Sequence, residues 1–371
     1  MATRLRFRAA HRATALCACL AALLLAGCGS SNTGGGAAGS PAASGSAAAP
    51  AAHLRLVIYT SHGAEQIVPC IARFKKAHPE IDVVEPLDMG ATELAERIRG
   101  EAANPQCDVW WGGPHYDFID AASRGLLQPY RPTWAAHSPA DRHDPHGFWY
   151  GQYLTPEVIM YNTRVIPNPA DAPQDWDDLL LPQWKNKIVI RDPPASGTMK
   201  AIFAAMIWRA GGLTDSPEKG FDWLRRLDAN TAHYAADPDR MYQALNTPDT
   251  PVTVWNMADA YIQHTVNKYP FGFILPKSGT PVLVEGIAIP KGAPDPEAAK
   301  IFYEFITSKE EMIFQANKLN RIPARDDIPP DRLPKWMTDQ PIKAFPIDWS
   351  KLAPKATEWM DIWDRTIRTA K

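Results

Sequence analysis

Cysteine is scarce in this chain: five residues in 371, three of them (Cys17, Cys19 and Cys28) at or before position 28. Only Cys70 and Cys107 remain for a folded domain. Two thiols can form one disulfide or pack as small buried side chains, and they are too few for a cysteine-built metal site. Basic charge is not in excess either. Lys and Arg number 39 against 41 Asp and Glu, and four of the arginines (Arg4, Arg6, Arg8, Arg12) crowd the N-terminus. Without those four, 35 basic residues face 41 acidic ones, a balance of −6. No cluster of Lys and Arg is interleaved with aromatics, so nucleic-acid binding is excluded. Past Leu25 no apolar run approaches the roughly 20 residues that span a bilayer. Hydrolase signatures are missing as well: there is no Gly-x-Ser-x-Gly elbow, no His-Glu-x-x-His, and no Ser-x-x-Lys at a credible place. His115, His137, His143 and His146 are scattered, and HSPADRHDPH (137–146) matches no standard metal spacing. Neither a metal nor a cofactor is expected.

What is present begins at the N-terminus. After the four arginines comes an apolar run of about 13 residues, too short to span and of the length of a signal peptide. It closes at Leu25-Ala26-Gly27-Cys28, which resembles a bacterial lipobox, so cleavage is expected to leave Cys28 as a lipid-bearing N-terminus. Residues 28–52 are then almost wholly Gly, Ser, Ala and Pro, without charge or large apolar side chains. Such a segment cannot bury enough surface to offset its ordering entropy and reads as a tether. The remaining chain, roughly 320 residues, is long enough for one large or two medium cores.

From Leu54 the pattern is α/β. LRLVIYTS (54–61), IDVVEPL (81–87) and CDVWWGG (107–113) read as strands, with helices over 65–77 and 90–102 between them. Pro69 is expected in the first turn of its helix, where a missing N–H costs nothing. Parallel strands so connected open their ligand-facing loops at one sheet edge. That edge carries Thr60-Ser61-His62, Met89-Gly90-Ala91 and Gly112-Gly113-Pro114, and Gly90-Ala91-Thr92 offers a second helix N-terminus there. FWYGQYLTPEVIMYNT (148–163) suggests a strand pair or crossover. A second α/β unit follows, with strands over 187–191 and within 279–293, and a strand then a helix over 251–266. Its helices run from Ser196 to Gly211-Gly212, over 221–227, over 296–307 and over 355–368.

YTSHGAE, NPQCDVWWGGP, GLLQPY, YNT, DPPASGT, the run Gly279–Ala293 and PEAAKIFYEFITSKE follow one another in an order that resembles the extracellular solute-binding proteins of ABC importers. The resemblance is to the subgroup taking ferric iron, phosphorylated sugars, phosphonates and related anions, and it spans residues 54–330. It implies a type II periplasmic-binding-protein fold, α/β in class, with two lobes closing on a cleft. Lobe 1 would hold 53–155 and 282–330, and lobe 2 would hold 156–281 and 331–371. It also implies a monomer that captures a small molecule and delivers it to ABC permease subunits. The protein would sit at the periplasmic or extracytoplasmic face of a membrane, held by its lipid.

Ser196-Gly197-Thr198 opens a helix, and the unpaired N–H groups of a first turn form an anion cradle unless Ser196 only caps its own helix. Across the cleft the candidate ligand residues are Thr60, Ser61, His62, Gly90, Ala91 and Gly113. Trp110 and Trp111 alternate, so one is core and Trp111 is the candidate cleft residue. Tyr153 and Thr155 lie in the first crossover, and Trp255, Asn256, Asp259 and Glu285 supply acids and aromatics for an amine or hydroxyls. Ferric binders of this subgroup carry two adjacent tyrosines where this chain has Tyr261-Ile262, which counts against iron. The expected solute is a phosphate- or phosphonate-bearing molecule, with ferric iron or a polyamine as alternatives. An exported hydrolase, or presentation of the solute to a chemoreceptor, are readings of another class.

Overall fold

The computed structural model describes residues 54–211, 217–339 and 341–368. The signal run, Cys28, the 28–52 tether and Gly212 lie outside the described residues. Where one strand was expected over 54–61 there are two short ones, β1 (Leu54–Leu56) and β2 (Ile58–Thr60), and 81–87 likewise divides into β3 (Ile81–Val83) and β4 (Leu87–Asp88). The cause is pairing: β1 and β3 form a separate two-stranded ribbon, while β2 and β4 enter the main sheet. Helix α1 (Ala64–Ala77) begins at Ala64, so Pro69 sits in its interior rather than its first turn. It there removes one backbone bond and is tolerated at that cost. Helix α2 (Ala91–Gly100), β5 (Val109–Pro114), α3 (His115–Ser123) and β6 (Leu127–Gln128) complete the first run.

Residues 148–163 do not form a strand pair. They supply one 13-residue strand, β7 (Tyr150–Asn162), buried along nearly its whole length. The second unit holds β8 (Ile188–Arg191), α4 (Gly197–Gly211), α5 (Glu218–Asn230), β9 (Thr231–Ala235), α6 (Pro238–Leu245), β10 (Val252–Asn256), α7 (Met257–Thr265) and β11 (Phe271–Ile274). Then β12 (Val282–Pro290), α8 (Pro296–Ile306), α9 (Lys309–Leu319), β13 (Ile322–Pro323), α10 (Lys335–Thr338) and α11 (Trp349–Thr366) close the chain.

The main sheet runs β4-β2-β5-β12-β7-β10-β8-β9. Each half repeats one plan, three parallel strands with the first in the middle, then an antiparallel crossover. In the first half β2 pairs in parallel with β4 and β5, and β12 runs against β5. In the second, β8 pairs in parallel with β9 and β10, and β7 runs against β10. The two crossovers pair with each other, Val282 opposite Pro156 and Glu285 opposite Tyr153. The result is a two-lobed α/β molecule whose halves share their crossover strands.

The first half packs apolar layers on both sheet faces. Ile58, Cys70, Phe74, Trp111 and Phe302 fill one, and Leu94, Cys107, Trp110 and Phe118 the other. Cys70 and Cys107 therefore lie on opposite sides of the sheet and remain free buried thiols, so the possible disulfide does not form. Burial pushes the Cys70 thiol up to about 12, which makes it inert. The second half packs α4, α5 and α11 against β7, β8 and β10 in one large core. Helix α4 is apolar on almost every side because it is covered on almost every side, with Met199 to Ile207 all buried. Among the described residues no helix is long and apolar enough to cross a membrane.

Candidate functional site

Loops at the carboxyl ends of the parallel strands face one another across a cleft of about 840 Å³. Fourteen of the sixteen residues expected at the cleft line it: Ser61, His62, Gly90, Ala91, Gly113, Tyr153, Thr155, Ser196, Gly197, Thr198, Trp255, Asn256, Asp259 and Glu285. The other two are corrections. Thr60 is fully buried and its Oγ1 accepts the His62 N–H at 3.1 Å, so it shapes the loop from beneath. Trp111 is also fully buried, since both faces of this sheet are covered and alternation leads from one core to another. Its indole N–H donates to Gln152 at 2.6 Å, and its ring meets His62 edge-on at 4.7 Å.

The first-half wall is held by side chains behind it. The Tyr153 hydroxyl lies 2.7 Å from His62 Nε2 and accepts from Gln66 Nε2 at 2.9 Å. Gln66 and Gln152 both donate to Gln315, closing a buried polar chain behind the wall. His62 is packed so closely that Gly112 must be glycine. Its φ is +93°, and a Cβ there would fall 2.4 Å from the imidazole. Burial, with Arg321 nearby, holds His62 well below its usual range, so it is a neutral imidazole. Burial likewise raises the Tyr153 phenol well above its usual value. The Gly113 N–H donates to Glu285 Oε2 at 2.8 Å.

The second-half wall is built around α4. Ser196 Oγ accepts the Met199 N–H at 3.2 Å, so Ser196 does cap its helix. Its carbonyl takes the Lys200 N–H at 2.9 Å. The N–H groups of Gly197 and Thr198 keep no protein acceptor among the described residues, and both residues line the cleft. Gly197 also touches the opposite half: the Tyr116 hydroxyl donates to its carbonyl at 2.8 Å, and a Cβ would lie 3.6 Å from Ala91 and Pro114. Beside the cradle, Asn256 caps α7 through the Asp259 N–H at 2.8 Å. The Asp259 carboxylate accepts from Trp255 Nε1 at 2.9 Å, Asn256 Nδ2 at 2.8 Å and Tyr242 at 3.4 Å.

Sequence reading missed the residue between these walls, Arg321. Helix α9 ends at Asn320 in the left-handed conformation, φ 57°, a helix-stop signal that Asn permits. The next residue enters the cleft. The guanidinium stands 3.9 Å from both Asp259 and Glu65, lies 5.6 Å from the Tyr153 ring, and has a buried Nε with no partner among the described residues. Asn320-Arg321 at a helix end was the one legible hint. Glu157 was missed too. It lies on the shared strand β7, fully buried, with both carboxyl oxygens lacking a partner among the described residues. Burial, then Glu285 and Asp259, push it well above the usual carboxylate range.

Of the scattered histidines none lines the cleft. His137 instead approaches Asp326 and Asp327, where Arg325 and Lys309 already balance Asp327 at 2.8 and 3.1 Å.

The family model for bacterial extracellular solute-binding proteins matches residues 70–346. A probable ABC transporter periplasmic-binding protein, y4fP, of Sinorhizobium fredii is 28% identical over 328 residues, 86% of this chain and 88% of the relative. Iron uptake protein A2 of Synechocystis is 28% identical over 290 residues, 74% and 80% of the two chains. A putative 2-aminoethylphosphonate-binding periplasmic protein of Salmonella paratyphi A is 26% identical over 245 residues, 65% and 69%. Among solved structures, the periplasmic binding protein AfuA of Actinobacillus pleuropneumoniae, with fructose-6-phosphate bound, superposes with a TM-score of 0.73 at 24% identity. It covers 85% of this chain and 99% of that one.

Proposed function

Because this chain belongs to the bacterial extracellular solute-binding proteins, we propose that it is the capture subunit of an ABC importer whose solute is a small phosphonate or phosphate ester that also carries an amine. The observation that carries the reading is the pairing of two chemistries in one cleft. Two unpaired N–H groups open α4, and the Arg321 guanidinium stands near the cleft floor. A helix N-terminus and an arginine together hold an oxyanion. Facing them are Asp259, Glu285 and Glu65, carboxylates suited to an ammonium group. Those three carboxylates share the single Arg321 charge, so a bare inorganic anion leaves negative charge in excess, and a polyamine leaves the cradle unused. Ferric iron calls for phenolates, and the cleft offers Tyr153 and Tyr242 with burial favouring the neutral phenol at both.

Closure turns on β7 and β12, which divide residues 53–155 with 282–330 from 156–281 with 331–371. The protein works as a monomer, outside the cytoplasmic membrane, anchored through Cys28, and carries out no chemistry on its cargo. Relatives titled as an ABC transporter component and as a 2-aminoethylphosphonate binder support the class of system and of solute.

Thermal unfolding with a solute panel tests the reading: 2-aminoethylphosphonate, ethylphosphonate, fructose-6-phosphate, ferric citrate and putrescine. A ligand at 100 times its Kd adds about 2.7 kcal/mol, or several degrees. The aminoalkylphosphonate is expected to give the largest rise. A rise confined to ferric citrate or putrescine would overturn it.

A further inference from the structure

The turn carrying the cradle is braced by the end of the chain. Strand β8 ends at Arg191, and Asp192-Pro193-Pro194-Ala195 leads into Ser196. Asp192 is the sole carboxylate of that turn. Its N–H donates to Ala235 at 2.8 Å, and Arg191 Nη2 reaches the Ala195 carbonyl at 3.4 Å. On the outer side stands Arg368, two residues past α11. Its Nη1 lies 2.8 Å from Asp192 Oδ1 and 2.9 Å from Asp364 Oδ1. The guanidinium packs over Tyr234 and Trp363, 5.1 and 5.8 Å from the ring centroids. Among the described residues Asp192 Oδ1 has no partner in hydrogen-bonding geometry, so the close contact with Arg368 is one of charge rather than direction.

A carboxylate four residues before an anion cradle repels the anion unless a cation balances it. An arginine stacked on two rings is a cation held in place. We propose that Arg368 is a positioning residue for the oxyanion site: it neutralises Asp192 and fixes the 192–195 turn, so that the Gly197 and Thr198 N–H groups face the ligand in a locally positive field. The inference rests on the reading of α4 as the oxyanion cradle.

The test is the affinity of the full-length protein for 2-aminoethylphosphonate, by calorimetry at low and physiological salt. Arg368→Gln is expected to weaken binding about tenfold, more at low salt than at high. Asp192→Asn alone changes it about twofold or less, and the double substitution recovers to within about threefold of the unsubstituted protein. Arg368→Lys retains most of the affinity. A loss in Arg368→Gln that is insensitive to salt and not rescued by Asp192→Asn makes the residue merely structural and overturns the inference, as does Arg368→Lys behaving like Arg368→Gln. If the unsubstituted protein binds and Arg368→Gln binds equally well, the inference alone falls. If the unsubstituted protein binds no phosphorus compound, the cradle reading falls and takes the inference with it.

Discussion

The two halves of the sheet follow one topology, yet they prepare their sides of the cleft in opposite ways. After the first central strand of each half comes a loop and a helix: Ser61-His62-Gly63 into α1, and Ser196-Gly197-Thr198 into α4. In the first half the loop is filled by His62, wedged between Trp111, Gly112 and Tyr153. The His62 N–H and imidazole already have protein partners in Thr60 and Tyr153. In the second half the corresponding loop is bare, and the Gly197 and Thr198 N–H groups have no acceptor among the described residues. A side chain fills one loop, and the other is left open. A shared fold thus leaves ligand chemistry to whichever loop the sequence keeps small.

Substitutions can break this contrast. Arg321→Ala should have the largest effect, because Arg321 serves both walls. We expect affinity for the best panel ligand to fall on the order of 100-fold by calorimetry, since Glu65 and Asp259 lose their counter-charge. Ser196→Ala with Thr198→Ala should weaken binding about tenfold while Tm moves little, the loss of one cap excepted. If Tm falls by as much as affinity does, the second wall is not the bare one. Tyr153→Phe should do the reverse, lowering Tm by several degrees as His62 and Gln66 lose their partner, with affinity changed less.

Glu157→Gln sharpens the contrast at the seam. The carboxyl is pushed up by burial, so the folded state holds its proton above the pH at which the unfolded chain releases it. Stability is therefore fully present below about pH 4.5 and declines as pH rises above it. The glutamine variant should gain about 1–3 kcal/mol at neutral pH and lose that part of the pH dependence, read from Tm between pH 4 and 8. A variant less stable at pH 7 would mean that the carboxyl has a partner there.

Fold class was readable because each local signal agreed with the next: buried strands of β-branched residues, small residues at strand exits, helices with apolar faces. The breaks at Val57 and between β3 and β4 were not readable, since they come from pairing with distant partners. Trp111 was misread for a related reason. Alternation separates two faces, and the sequence does not say that both are covered. The loop residues of the cleft could be found from motif order. Arg321 could not, because it reaches the cleft only through the left-handed turn at Asn320 and the packing of α9. Glu157 was hidden in an apolar run that resembles ordinary core.

The shared crossover strands also have a bearing on how the chain acquires its shape. The sheet of the second half is assembled from residues 150–274 alone, whereas that of the first half needs β12, whose Glu285 pairs with Pro114. Closing so long a loop is slow. A chain emerging N-terminus first therefore presents the whole sheet of its later half sooner, while the sheet of its earlier half waits for residue 290 and the core of the later half waits for α11. Helix α11 comes last and covers α4.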